Sequence, residues 1–381
     1  MLPKERVLAA FAHEPTDRVP IYVAGFSSRV ASAVLQREAF VGGGIQQWRE
    51  ACALWQGGCA HQEFLERTRQ DALELCLKLD LDLVRVSYWR LNERPTQRLD
   101  EFTFLYGDPE GDHRIMRLDP DTELYQVVHQ VPSPTGRTAD DLEPEVAEAE
   151  EAARRFSPSP EDYVDQLYAM EKAPDRITYA GVSSITVPYG RAEWLEALAL
   201  RPDLVERYLD AAVERARKAV PVLGKLGIRL MFGGGDFASN KGPFYSPAHF
   251  RRFMLPRFRE VTALCHAHGG YHLMGSDGNL WPVAHELFCE SGTDGFYEID
   301  ARAGMDLEKL RQQFPHLTLL GNISSLTLHA GTKEEVIAET RRCLEVAKEY
   351  GSVIVGPSNQ VVAQTPLENF WAMMETLHRY R

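Results

Sequence analysis

Excess positive charge, paired cysteines and long apolar runs are all missing from this sequence, and each absence excludes a class of function. Lysine and arginine number 42 against 55 acidic residues, a formal net charge of -13 at pH 7. The chain therefore offers no cationic footprint for nucleic acid or an anionic membrane surface. The six cysteines (Cys52, Cys59, Cys76, Cys265, Cys289 and Cys343) are scattered without CxxC spacing. Neither a zinc ribbon nor a disulfide framework is indicated, and reduced thiols are expected. No segment approaches the roughly 20 apolar residues of a membrane helix, and MLPKERVLAAFAHEPTDRVP opens with Lys4, Glu5 and Arg6 before only a brief apolar run. A cytoplasmic protein acting on a small molecule is expected.

What is present is a regular alternation. Apolar strand patterns fall at Val19–Ala24, Leu81–Trp89, Ile177–Ile185, Ile228–Gly234, Tyr271–Ser276, Gly295–Ile299, Leu317–Ile323 and Ser352–Val355. From the third strand on, helical patterns separate them, at Glu193–Leu223, Pro247–His268, Leu280–Ser291, Leu307–Gln313 and Lys333–Tyr350, with Pro366–Arg381 last. Strands joined by crossovers of this length pair in parallel, and eight such units predict a (β/α)8 TIM barrel. Pro3–His13 and Phe26–Lys78, the latter broken at Gly42–Gly44 and Gly57–Gly58, form an N-terminal helical segment over the barrel. Between Arg90 and Pro134 the period changes to two, which predicts an antiparallel β insertion (90–134) acting as a flap or a subunit contact in a homodimer. We read residues 1–381 as one domain of 381 residues, 44% of them hydrophobic.

In such barrels the loops after the strand C-termini carry the chemistry. Those positions hold Arg29, Trp89, Ser183 and Ser184, Asp236, Asn240, Ser276, Asp277, Glu298, Asp300, Asn322, Ser358 and Asn359. Asp277 and Glu298 end adjacent strands, so their carboxyl groups can approach over the mouth, where burial beside a like charge keeps one protonated. Asp277 can equally cap the helix that follows. His272 lies inside a strand, either facing the barrel lumen or buried as a satisfied core histidine. His266 and His268 sit at the far end of a helix, away from the mouth.

The segments KERVLAAFAHEPTDRVP, GGGDFASNKGPFYSPAHFRRFMLPRF, GNISSLTLHAGTKEEV and TPLENFWAM resemble the uroporphyrinogen decarboxylase superfamily over nearly the whole chain outside the insertion. The resemblance implies a (β/α)8 barrel that serves either porphyrinogen decarboxylation or methyl transfer to corrinoid proteins or coenzyme M. Of the decarboxylase's arginines after the first strand, one falls on Gly25 and only Arg29 remains; its catalytic aspartate falls near Trp89. The methyltransferases' zinc ligands, His-x-Cys-Gly and a later cysteine, fall on His272, Met274 and Asn359. One imidazole with a thioether and an amide makes a poor zinc site, so no metal and no tightly bound cofactor are expected. Ser276–Asn279 is similar to the SDGN-like segment of members resembling O-demethylase methyltransferases.

The resemblance and its departures together imply a methyltransferase that moves a methyl group between a small O- or N-methylated substrate and a corrinoid protein. Asp236, Asp277 and Glu298 would orient the substrate or act as general acid, with Arg29, Asn240, His272, Asn322, Ser358 and Asn359 lining the site. Uroporphyrinogen decarboxylation and a non-catalytic small-molecule-binding barrel are the alternatives.

Overall fold

A computed structural model describes residues 1–132 and 136–381. In chain order its strands are β1 (Leu83–Val84), β2 (Gln97–Arg98), β3 (Thr103–Gly107), β4 (His113–Asp119), β5 (Leu124–Val131), β6 (Ile177–Gly181), β7 (Leu230–Phe232), β8 (Ala238–Ser239), β9 (Gly242–Pro243), β10 (Tyr271–Gly275), β11 (Gly295–Tyr297), β12 (Thr318–Leu320) and β13 (Val353–Ile354). Seven of them form one parallel sheet in the order β1-β6-β7-β10-β11-β12-β13. Its two edges meet at the expected first strand, which is reduced to a bridge: Ile21 pairs with Val355 and Tyr22 with Leu83, both in parallel. The eight expected positions are thus all occupied, in a TIM-like α/β barrel. The strands are shorter than their apolar runs, because several runs continue past the ladder into the mouth loops.

Two layers of core follow from the pleat. Leu83, Leu230, Leu273, Leu320 and Ile354 point inward and pack on Val7, Ala10 and Phe11 of the first helix, α1 (Pro3–Phe11), which stops the lower end of the barrel. Met231, Met274, Phe296, Leu319 and Val353 point outward to the helices. Both faces are apolar, as expected for parallel strands covered on each side.

The N-terminal segment folds as α2 (Ser28–Leu35), α3 (Gly44–Gln56) and α4 (Gly58–Lys78), interrupted at the two glycine clusters. The insertion is a four-stranded antiparallel sheet, β2-β3-β4-β5, whose inner face packs Phe104, Tyr106, Met116 and Tyr125 on Ala51 of α3. Its expected last residues, 133 and 134, lie outside those described. Next come α5 (Glu143–Arg155) and α6 (Val164–Lys172), and then α7 (Ala192–Leu200) and α8 (Pro202–Lys225). The single helix expected over Glu193–Leu223 is broken between the last two, where Pro202 starts a new helix at a position that needs no amide hydrogen. The helix expected at Leu280–Ser291 is present as two short turns, Trp281–Val283 and Glu286–Glu290. Among the described residues no helix is long and apolar enough to cross a membrane.

Candidate active site

A cavity of about 280 Å³ opens at the C-terminal ends of the strands. Its floor is aromatic. Tyr179 on β6 stacks on Phe232 of β7 with ring centroids 4.1 Å apart, and Phe232 meets Tyr297 of β11 at 4.6 Å. Tyr297 crosses the intervening strand because its partner in the register is Gly275: a Cβ there would stand 2.1 Å from the Tyr297 ring. Tyr22 completes the floor, donating its hydroxyl to the Pro357 carbonyl at 3.1 Å.

Glu298 is the acid of this cavity. Tyr297 already points inward, so simple alternation would turn Glu298 outward; its φ of 62° breaks the alternation and brings both consecutive side chains into the same space. Holding a non-glycine residue there costs on the order of 1 kcal/mol or more. Burial raises the Glu298 carboxyl to about 8, with the charges of Asp277 and Asp236 adding to the shift and Arg85 opposing it. Asp277 is raised to about 6, first by burial and then by Asp236 and Asp300. Asn359 donates to its Oδ2 at 2.8 Å, and its backbone amide donates to Asp236 Oδ1 at 2.8 Å. Asp236, Asp277 and Asn359 are therefore hydrogen-bonded together, and Glu298 is coupled to the two aspartates through charge alone. Among the described residues Asp277 is not a helix cap; the turn Trp281–Val283 after this loop has no side-chain cap, and Asn279 accepts from the Trp281 amide at 3.1 Å.

Arg85 is the cation of the cavity, and sequence reasoning passed over it. It sits one residue past β1, with Nε donating to the Ser87 carbonyl at 3.0 Å and Nη1 to that of Ala24. Its guanidinium fills the space above Gly25, where a Cβ would lie 3.0 Å from Nη1. The position at which the family places an arginine is thus occupied from the neighbouring strand. An arginine in the middle of LDLVRVSYW, a run otherwise fit for burial, was the available signal.

Other expected lining residues lie elsewhere. His272 is 1% exposed and faces the helix layer, where Nδ1 shares a hydrogen bond of 2.8 Å with Thr262 Oγ1. Burial lowers it to about 4, so the ring is neutral. Asn322 is fully buried against the helix Lys333–Tyr350, accepting from Arg342 Nη2 at 3.2 Å and donating to the Met305 carbonyl. Both are core residues rather than lining residues, because their strands are apolar on both sides and each polar group finds its partner in the helix layer. Arg29 and Asn240 are exposed, the first in the opening turn of α2 and the second in the β8–β9 turn, and neither lines the cavity. Ser358 lies under the rim, its hydroxyl accepting from the Ser325 amide at 3.4 Å.

The three positions expected of a zinc site do not converge. His272 and Met274 face the helices, whereas Asn359 is at the mouth bonded to Asp277. These residues do not fit a zinc ion. Above the cavity the rim is aromatic and open. Trp89 is 58% exposed, and Tyr189 stacks on Phe244 at 4.5 Å with 6° between the planes.

Residues 190–380 match the family model described as uroporphyrinogen decarboxylase (URO-D). No curated protein matches the chain. Among solved structures, a methyltransferase from Methanosarcina mazei superposes over 100% of this chain and 99% of its own, with a TM-score of 0.66 and 19% identity. That likeness shows the fold. A D-psicose 3-epimerase from Clostridium cellulolyticum H10 is similar over 62% of this chain and 92% of its own, at a TM-score of 0.36 and 14% identity.

Proposed function

Since the chain belongs to the uroporphyrinogen decarboxylase family, we propose that it is a methyltransferase of that family, which removes a methyl group from the oxygen or nitrogen of a small, flat, anionic substrate. The observation that carries this reading is a carboxylic acid, Glu298, held protonated near neutral pH beside an aromatic floor. A methyl ether or amine is a poor source of methyl groups because its heteroatom leaves with the electron pair. A proton delivered to that atom as the bond breaks lowers the barrier, and general acids of this kind contribute about 10²–10⁴-fold.

The floor of Tyr179, Phe232 and Tyr297 would hold a planar substrate face to face. Arg85, whose hydrogen bonds among the described residues go to the backbone carbonyls of Ser87 and Ala24, would take its anionic group. Asp277, fixed by Asn359 and by the field of Asp236, keeps Glu298 protonated until the heteroatom takes its proton. A cobalt(I) corrinoid on a partner protein would supply the nucleophile that accepts the methyl group. The exposed Trp89, Tyr189 and Phe244 around the opening suit the approach of such a planar group. Decarboxylation of uroporphyrinogen fits less well, since eight substrate carboxylates would face a single cation in a cavity of about 280 Å³.

The test is incubation with cob(I)alamin and a panel of methoxylated or N-methylated aromatic carboxylates, followed by absorbance for corrinoid consumption and mass spectrometry for the demethylated product. Demethylation by the native chain and its loss in Arg85→Gln are expected. No turnover of any panel member, together with stepwise decarboxylation of uroporphyrinogen, would reverse the assignment.

A further inference from the structure

Behind the loop that follows β6 lies a second cavity, larger than the one at the mouth, with a volume of about 350 Å³. It opens between α5 and α8, and its walls are short side chains: Ala149 and Ala152 on α5 face Ala211 and Ala212 on α8. Helices that meet through alanines can close until their backbones touch. Here they are tied together at both ends. Arg207 of α8 bonds Glu143 and Glu150, and further along Lys218 donates to the carbonyls of Ala153 and Arg154 at 2.8 Å. Between these ties the small side chains leave a gap.

Its polar content is of one sign. No carboxylate lines it, on a chain of net charge -13. The neighbouring cations Arg201, Arg207 and Arg217 are each paired with acids. Arg215, which lines the cavity, has no acidic partner and no hydrogen bond among the described residues; its guanidinium rests on the Phe156 ring, 4.8 Å from the centroid. Ser183 and Ser184 border the same space, and neither hydroxyl has a protein partner among the described residues.

We propose that this cleft is a second small-molecule site, for an amphipathic monoanion whose carboxylate is held by Arg215 and the serine hydroxyls and whose short alkyl or aryl body lies among the alanines and Phe156. An arginine fork bonds a carboxylate through two parallel hydrogen bonds, and apolar walls of small residues reward a body that removes them from water. The site is not isolated from the mouth. Gly181, Val182 and Ser184 line both cavities, and nothing lies within 4 Å of where a Cβ on Gly181 would stand. An occupant of the cleft therefore abuts the back of the loop whose front borders the floor of the active site.

Octanoate is a suitable probe, titrated calorimetrically into the full-length chain. Arg215→Gln removes the cation, and Ala212→Leu fills the cleft from a half-buried position on α8; Ala149→Leu fills it from the opposite helix should the first fail to fold, with melting curves confirming each variant. We expect saturable binding to the native chain, weakened about tenfold or more by either kind of change, and unaltered by Arg85→Gln at the mouth. Absence of binding at millimolar octanoate overturns the proposal. So does binding that survives both Arg215→Gln and the filling variant, or that is abolished by Arg85→Gln, which would place the anion in the mouth.

Discussion

Glu298 is the side chain on which the proposed chemistry turns, and its acidity can be measured without any substrate. Its folded pKa, about 8, lies above the ordinary 4.5 of the unfolded chain, so its contribution to stability is present below pH 4.5 and is lost as pH rises through 8. Glu298→Gln should remove that decline: urea melts between pH 5 and 8 should show a flatter profile in the variant and a more stable protein at the upper end. Methyl transfer should meanwhile fall about 100-fold or more, because the amide cannot deliver the proton. His272 is expected to behave in the opposite way. Depressed to about 4 from 6.5, it gives stability that is present above pH 6.5 and lost as pH falls through 4. His272→Ala should cost roughly 2–4 kcal/mol in denaturant melts, through the void and the abandoned Thr262 hydroxyl, while ligand affinity at the mouth is retained. A comparable loss of affinity would return His272 to the site.

At the scale of the element, the aromatic floor depends on a strand giving up a side chain. Gly275→Ala would drive a methyl into Tyr297, at a cost of about 1–3 kcal/mol for overpacking. Because Tyr297 can relieve the clash only by leaving Phe232, ligand binding should suffer beyond the loss of stability. Parallel melting curves and titrations distinguish this from simple destabilisation. The order and number of strands were legible in the sequence, since each apolar run is separated from the next by a helical one, and Asp236, Asp277 and Glu298 were legible as residues just past strand ends. Which way a strand residue points was not. In YHLMG both faces are buried, one by the lumen and one by the helices, so alternation carries no contrast between wet and dry. The same ambiguity hid Tyr179 and Tyr297, which read as ordinary core.

For the whole molecule, the two ends of the chain converge on one carboxylate. Asp82 is fully buried between Arg6 of α1 and the C-terminal Arg381, at 2.5 and 2.8 Å. Removing the shared acid leaves two guanidinium groups that are almost inaccessible to water, with only the more exposed Asp17 and Asp80 as partners, so Asp82→Ala should destabilise the fold by about 3 kcal/mol, the lower end of the cost of breaking a buried pair, measured by urea unfolding. Arg6 also anchors the helix whose Phe11 stops the barrel floor.

Where the barrel closes, the first strand is held by isolated bridges, Ile21 with Val355, Tyr22 with Leu83 and Phe26 with Val361, whereas β10 is paired along both edges. That join is a seam. Its amides, Tyr22 bonded to Val355 at 3.1 Å and Leu83 to Ile21 at 3.4 Å, should exchange with deuterium sooner than those of β10, since few bonds must open together to free them. Tyr22 also lines the mouth cavity. A bound substrate would then act as a rivet across the seam, and deuterium uptake at these two amides should slow as the cavity fills.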